Sequence, residues 1–407
     1  MNFLVGGHSV ALSKRLFVKR VNLQKLQIMK RGNCMKVPRF VWMSILLGGQ
    51  LLYTGQVMAD SWQQNVSSRV ATEFDTNPAM VEAYQGGGVW RFLFEPAYTL
   101  MGKVGENEIT TGLALQIARS SNKTQSPNLN DPTVFVNWLH PDEAGQFGIS
   151  AKYAEMATRD TGGVDATGNV PAASTRAIRT LSGNWRQELS GQTVLIADSA
   201  YEGATYKGGG IYTDYSTRSG GLRFDYIMSE QITSYCRVSG NRYTPANGGP
   251  SSSLVDAILG INWKVEYLDW TMEAGKSRVA GSESDTEGSI VAHYTGQQTQ
   301  MTLNAGRSVS PSGLGGFVKA NALSGSWSYA LSEYSNTGVN LERRKNFPTA
   351  GNTASTMTTA GVWIDYALTP LWKMRTYYQH KTNQTVGFEK VFSNLVGISF
   401  AYEKNDF

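Results

Sequence analysis

From about residue 66 to its C-terminal end, the chain is a succession of short runs that are apolar at every second position. The connections between these runs are by turns long and very short. Segments of about ten residues with this period, aromatic at their ends and bounded by turn residues, are the mark of strands that cross a membrane as a closed barrel. Such a closure is one of only two ways for a backbone to satisfy its hydrogen bonds in hydrocarbon. Four tight turns show the repeat: Trp185 to Ser190, Asp225 to Glu230, Ser328 to Glu333 and Asp365 to Pro370. Each sets an aromatic a few residues before a Ser or Thr turn and is followed by another alternating run. The first two, and the last two, are roughly 40 residues apart, the length of two strands and two connections. This hairpin repeat places Tyr and Trp at one interfacial girdle.

Alternation places strands at 66–75, 88–101, 106–119, 133–139, 144–158, 175–189, 193–206, 217–228 and 232–244. It places further ones at 253–265, 269–279, 286–296, 299–309, 317–331, 335–346, 356–368, 371–383 and 391–404. The tight turns fall at 102–105, 140–143, 190–192, 229–231, 266–268, 297–298, 332–334 and 369–370. The longer polar loops fall at 76–87, 120–132, 159–174, 207–216, 245–252, 280–285, 310–316, 347–355 and 384–390. Eight short turns and nine long loops require 18 strands with both termini at the short-turn end. Sixteen result if 66–75 and 335–346, the runs with the least regular alternation, are not strands. The expected fold is therefore all-β, a transmembrane antiparallel up-and-down barrel.

Parity assigns the two faces. Trp90, Phe92, Phe94, Tyr98 and Leu100 share one side of their run, and Arg91 and Glu95 the other. Leu222, Phe224, Tyr226 and Met228 oppose Arg223 and Asp225; Val255 to Val265 in steps of two oppose Asp256, Asn262 and Lys264. Val362, Ile364, Tyr366 and Leu368 oppose Asp365, and Trp372, Met374 and Tyr378 oppose Lys373 and Arg375. A soluble sandwich would alternate equally, with the apolar set inside. The paired-strand number, the absence of any helical period and the leader favour the membrane. The apolar set then faces lipid, where a Lys or Arg costs about 2–4 kcal/mol at the midplane. The expected lumen lining is Arg91, Glu95, Lys152, Arg176, Arg186, Glu188, Arg223, Asp225, Arg237, Asp256, Lys264, Asp365, Lys373 and Arg375, with Asp269 and Glu273. Rings of charge tune what a pore passes. A mutually paired lattice that keeps a polar interior stable is the competing role, and the mixture of signs argues against a strong filter for either ion.

The formal net charge of +5 would suggest a nucleic-acid partner, but it is a property of the leader. Residues 1–59 hold nine of the 37 Lys and Arg and none of the 32 Asp and Glu, so the rest carries 28 basic and 32 acidic groups, net −4. Lys30, Arg31, Lys36 and Arg39 precede an apolar run, Phe40 to Leu52, and Val57-Met58-Ala59 fits the small-residue cleavage rule, with Asp60 as the new N-terminus. The run is short for a spanning anchor. Met29 or Met35 are alternative starts, which would make residues 1–28 an artefact. With Cys34 in the leader, Cys236 stands alone and can form no internal disulfide; a small apolar side chain facing outward is its expected role.

The block Arg307 to Val318 (RSVSPSGLGGFV) with the following Tyr329 to Glu333 resembles a family of β-barrel porins encoded beside exopolysaccharide biosynthesis genes in Gram-negative bacteria. Glu73 to Pro78 (EFDTNP) resembles the first-strand motif of such barrels, and Val396, Ile398, Phe400 and Tyr402 before a terminal Phe407 resemble their assembly signal, although Phe407 is out of phase. The resemblance covers the mature chain in architecture and only these short stretches in residues. It implies an outer-membrane location, with the surrounding lipid, the barrel assembly machinery and periplasmic polysaccharide-export components as partners, and passage of polysaccharide as the role.

No constellation supports catalysis, a cofactor or a metal. His140, His293 and His380 are far apart in sequence, and no nucleophile-elbow pattern frames a serine. Ser120 and Lys123 match a Ser-x-x-Lys spacing, but in a polar loop. Gly86 to Gly88 and Gly208 to Gly210 lack a strand–helix context for a phosphate cradle. Asp131, Asp160 and Asp165 have no calcium-loop spacing. The expectation is a passive channel for polysaccharide or another polar solute, not an enzyme. The alternative is a non-transporting surface barrel acting as adhesin or assembly scaffold. No plug domain precedes the barrel, so any constriction is expected from 120–132 or 159–174 folding inward.

Overall fold

The computed structural model describes residues 61–80, 82, 87–157, 175–208, 212–313, 315–347 and 354–406. The expected leader, the loop 159–174 with Asp160 and Asp165, and Phe407 lie outside them. The strands are β1 Ser61–Asp75, β2 Val89–Val104, β3 Asn107–Ser120, β4 Leu129–Asp142, β5 Gly145–Ala157, β6 Thr175–Ser190, β7 Thr193–Lys207, β8 Tyr215–Ile227 and β9 Ile232–Pro245. They continue as β10 Ser252–Val265, β11 Leu268–Val279, β12 Ser284–Thr295, β13 Thr299–Ser312, β14 Gly316–Ser332, β15 Ser335–Asn346, β16 Ser355–Ala367, β17 Trp372–Thr385 and β18 Val391–Asp406. Each pairs antiparallel with the next, and β18 returns to β1 from Gln64↔Asp406 to Asp75↔Leu395, closing one 18-stranded barrel. Both runs on which the strand number turned are strands, so the barrel has eighteen strands and not sixteen.

Connections alternate short and long from β1 to β10, but β11–β12 and β13–β14 are joined by connections as short as the turns at the opposite end. The differences from the sequence reading have local causes. β4 is longer than 133–139 because Pro141, read as a turn residue, sits opposite Gln146 at the last rungs of the ladder, where a missing N–H is tolerated. The loop expected at 120–132 shrinks to 121–128 because Asn122 folds it on itself: its Oδ1 accepts from the N–H groups of Thr124 and Gln125, and its carbonyl accepts from Ser126. β13 and β14 pair as far as Ser312↔Gly316, so the loop expected at 310–316 is mostly a hairpin.

The two faces differ as a membrane barrel requires. Outward side chains include Leu259, 69% exposed, with Leu222, Val238, Val255, Leu303, Val362 and Phe392 also exposed, whereas inward Arg91 is 6% exposed. An apolar exterior this continuous is far outside what a water-soluble surface carries. Leu100 is the exception among the expected outward set: it is buried. Cys236 is free and exposed, on the outward parity of Val238. Trp185, Tyr226, Trp263, Tyr294, Trp327, Tyr366 and Trp372 form the aromatic girdle at the short-turn end. The EFDTNP stretch locks the barrel seam. Asp75 accepts from Ser393 and from the Asn77 N–H (3.0 Å), Thr76 N–H donates to Asn394 O (3.0 Å), and the Asn394 N–H donates back to the Thr76 hydroxyl (2.9 Å).

Candidate functional site: lumen wall and mouth

The inward face is built from repeated stacks. On β8–β10 the Tyr235 ring lies over Gly260, where an added Cβ would fall within the ring. The Arg223 guanidinium lies 3.7 Å from the ring centroid and makes a two-point bridge to Asp225 (2.6 and 3.0 Å). The Tyr235 hydroxyl donates to Glu273 (2.7 Å), which also accepts from Ser289 (3.0 Å) and lies 3.7 Å from Arg237. On β15–β17 the same order recurs. Trp363 covers Gly338, Arg375 lies 4.4 Å from the Trp363 centroid, and Arg375 bridges Asp365 at 2.5 and 2.7 Å. Glycine lets the ring lie flat on the backbone, the ring holds the guanidinium by cation–π attraction, and the carboxylate fixes its plane. In chain order β8 and β17 are nine strands apart, half of the 18-stranded circumference, so the two stacks face one another near the short-turn end.

A third group spans the seam. Arg69 on β1 bridges Glu95 on β2 (2.9 Å), which accepts from Gln116 on β3 (3.1 Å). Glu73 accepts from Tyr377 on β17 (2.5 Å) and lies 3.6 Å from Arg91, while Arg69 donates to the Tyr377 hydroxyl (3.1 Å). Charge-assisted bonds of this kind hold a polar wall rigid at low local dielectric.

Every residue expected in the lumen lies on the face opposite the exposed apolar side chains. Arg91, Glu95, Arg223, Asp225, Arg237, Asp365 and Arg375 belong to these three groups. Arg176 bridges Glu202 (3.1 Å) and donates to Tyr215 (2.5 Å); Arg186 bridges Glu188 (2.8 Å); Asp256 accepts from Ser239. Lys152, Lys264 and Lys373 are exposed and form no ion pair among the described residues. Sequence reasoning missed Arg69 and Glu73, although both alternate with Val70 and Phe74, and it missed the tyrosines, which parity alone does not mark as scaffolding. The histidines are not brought together: His140 on β4 faces Asn107, His293 on β12 faces Thr302, and His380 on β17 faces Asn394. Ser120 ends β3 with its hydroxyl on Asn122 O, away from any base.

At the long-loop end the β13–β14 hairpin folds across the mouth. Both faces of its tip are covered: Ser312, Phe317, Val318 and Ala320 are buried. Phe317 packs 6.1 Å from Tyr243 on β9, within a cluster of Ala204, Tyr215, Tyr243 and Leu254, with Tyr206, Val279 and Val309 against it. Tyr206 stacks on Tyr212 (4.7 Å, 18° between planes), and the Thr213 N–H donates to Gly313 O (2.7 Å). The contacts join β14 to β9 and β10, strands that are not neighbours in the sheet. This inward packing belongs to the RSVSPSGLGGFV block, which was not among the segments expected to fold inward; the 159–174 loop lies outside the described residues.

A closed barrel with a paired polar interior, an apolar exterior, short turns at one end and longer loops at the other is a transmembrane β-barrel of the outer-membrane type. The chain is similar to the solved outer membrane protein opdK from Pseudomonas aeruginosa, at 10% identity over 86% of this chain and 100% of that one, TM-score 0.49. It is similar also to OccAB4 of Acinetobacter baumannii (12%, 86% and 99%, TM-score 0.49) and to the outer membrane channel DcaP of the same organism (12%, 86% and 98%, TM-score 0.47). No protein-family model and no curated protein matches the chain. Likeness at this level transfers no substrate, and the fold rests on the strand pairing itself.

Proposed function

We propose that the chain is a passive outer-membrane channel for polysaccharide or another sizeable polar solute. The observation that carries this reading is the lumen wall. Its arginines are neutralised by carboxylates and its rings lie flat against glycine, so the wall presents balanced donors and acceptors without side chains projecting far into the pore. Eighteen strands enclose a lumen wide enough for water. A hydroxyl-rich solute can exchange its hydration for such a wall in many small steps, with no deep site to trap it. The fourteen expected lining residues, from Arg91 to Arg375, supply that wall. Lys152, Lys264 and Lys373 add a slight basic bias. The polysaccharide itself is proposed on the resemblance of the hairpin motif, as are the assembly machinery and periplasmic export components as partners.

The test is block of single-channel current by neutral dextran oligosaccharides and by polyuronate oligosaccharides of equal length. The channel reading expects transient block that lengthens with chain length. Indifference to both, in an open pore, would remove polysaccharide and leave small solutes. One observation favours a second reading, a non-transporting scaffold: the hairpin that crosses the mouth with both faces buried. That reading expects no current from the intact barrel or from one lacking the hairpin tip.

A further inference from the structure

The outward face is as asymmetric in charge as the interior is balanced. Along the strands, Arg179, Arg218, Arg242, Lys276, Arg278 and Arg343 are all exposed and all on the outward parity. All lie within five residues of the end of their strand on the loop side of the barrel. Toward the midplane on the same faces come exposed Leu181, Leu222, Val238, Met272 and Leu341, so the cations sit at the upper edge of the apolar band. On β13–β15 a second group gathers: Arg307, Lys319 and Lys345 each lie 5.5 Å from the Phe347 ring. Against these the described loop end carries two carboxylates bridged to lysines, Glu155 to Lys207 (2.7 Å) and Asp285 on β12 to Lys319. The short-turn end has aromatic residues at this level instead.

One juxtaposition is unfavourable as it stands. Arg218 and Arg242 are directly opposed cross-strand partners. Like charges in that position repel and destabilise a sheet. They become favourable if an anion lies between them at the membrane surface. Lipid phosphates lie at that depth, and long basic side chains at the edge of an apolar band reach the headgroup layer while their stems stay on hydrocarbon.

We propose that this belt binds the phosphate groups of anionic lipids in the leaflet at the long-loop end, with Arg218 and Arg242 sharing one phosphate. The proposal rests on the membrane reading given above. It also fixes the orientation: the leaflet richer in phosphate is the one beside the long loops.

The test uses the full-length barrel refolded into phosphatidylcholine vesicles, with and without diphosphorylated lipid A, and compared with R218Q/R242Q/K276Q/R278Q. Wild type is expected to unfold at a higher temperature with lipid A, and the quadruple variant to lose at least half of that gain. In phosphatidylcholine alone R242Q is expected to unfold at a higher temperature than wild type, because the repulsion is gone, and in lipid A at a lower one. Equal gain in variant and wild type would overturn the belt. Equal protection by inorganic phosphate at the same phosphorus concentration would overturn the lipid assignment in favour of a free-anion site. A barrel that never enters the vesicles, seen as unchanged gel mobility without heating, would overturn the membrane reading as well; one that enters and ignores lipid A overturns this proposal alone.

Discussion

Tyr243 shows how a residue of the mouth works and how it can be tested. It is fully buried at the end of β9, yet its hydroxyl has no hydrogen-bond partner among the described residues. Tyr243→Phe removes an unsatisfied polar group and keeps the ring contacts, so it should be neutral or stabilise by up to about 1 kcal/mol. Tyr243→Ala should lose about 3–5 kcal/mol, both read from denaturant midpoints of the refolded barrel. Glu273 accepts from two hydroxyls and pairs with the Arg237 guanidinium at 3.7 Å. Glu273→Ala should therefore destabilise by about 1–3 kcal/mol and Glu273→Gln by less, since the amide oxygen still accepts from Tyr235. Equal losses from the two changes would show that packing, not hydrogen bonding, holds the stack. Parity in the sequence placed Arg223, Asp225, Asp365 and Arg375 on the inner face. It could not show that Gly260 and Gly338 sit opposite Tyr235 and Trp363, because that depends on register between strands, which alternation within a strand does not contain.

The elements were legible because each signal is local. Period-2 alternation and turn chemistry located all eighteen strands to within about five residues, and the pairing of β1 with β18 closes them into one sheet. Loops were read less well. The 120–132 stretch looked long and polar, but Asn122 curls its first half and β4 takes the second. Residues 310–316 looked like an ordinary outer loop, since their Gly and Ser do not show that the adjoining Phe317 packs on Tyr243 of β9. Replacing residues 311–317 by Asn-Gly should shorten the hairpin without disturbing β12 or β15. Single-channel conductance is expected to rise by at least half over the intact barrel; no change would show that the hairpin does not limit the pore.

For the whole molecule, charge sorts into three zones. Residues 1–59 are basic, the lumen is paired, and the outward loop end is cationic. Paired lumen charges give weak ion discrimination, so potassium-to-chloride permeability should lie within about threefold of unity, shifting toward cations in Lys264→Gln with Lys373→Gln. A strong preference for either ion would contradict the paired wall. The most direct measurement is current through the intact barrel, refolded in a planar bilayer, with the hairpin-shortened form beside it. The account predicts stable ohmic steps from the intact protein and larger ones from the shortened form. Silence from both, in barrels whose folding is confirmed by gel mobility, would contradict a channel and leave a scaffold.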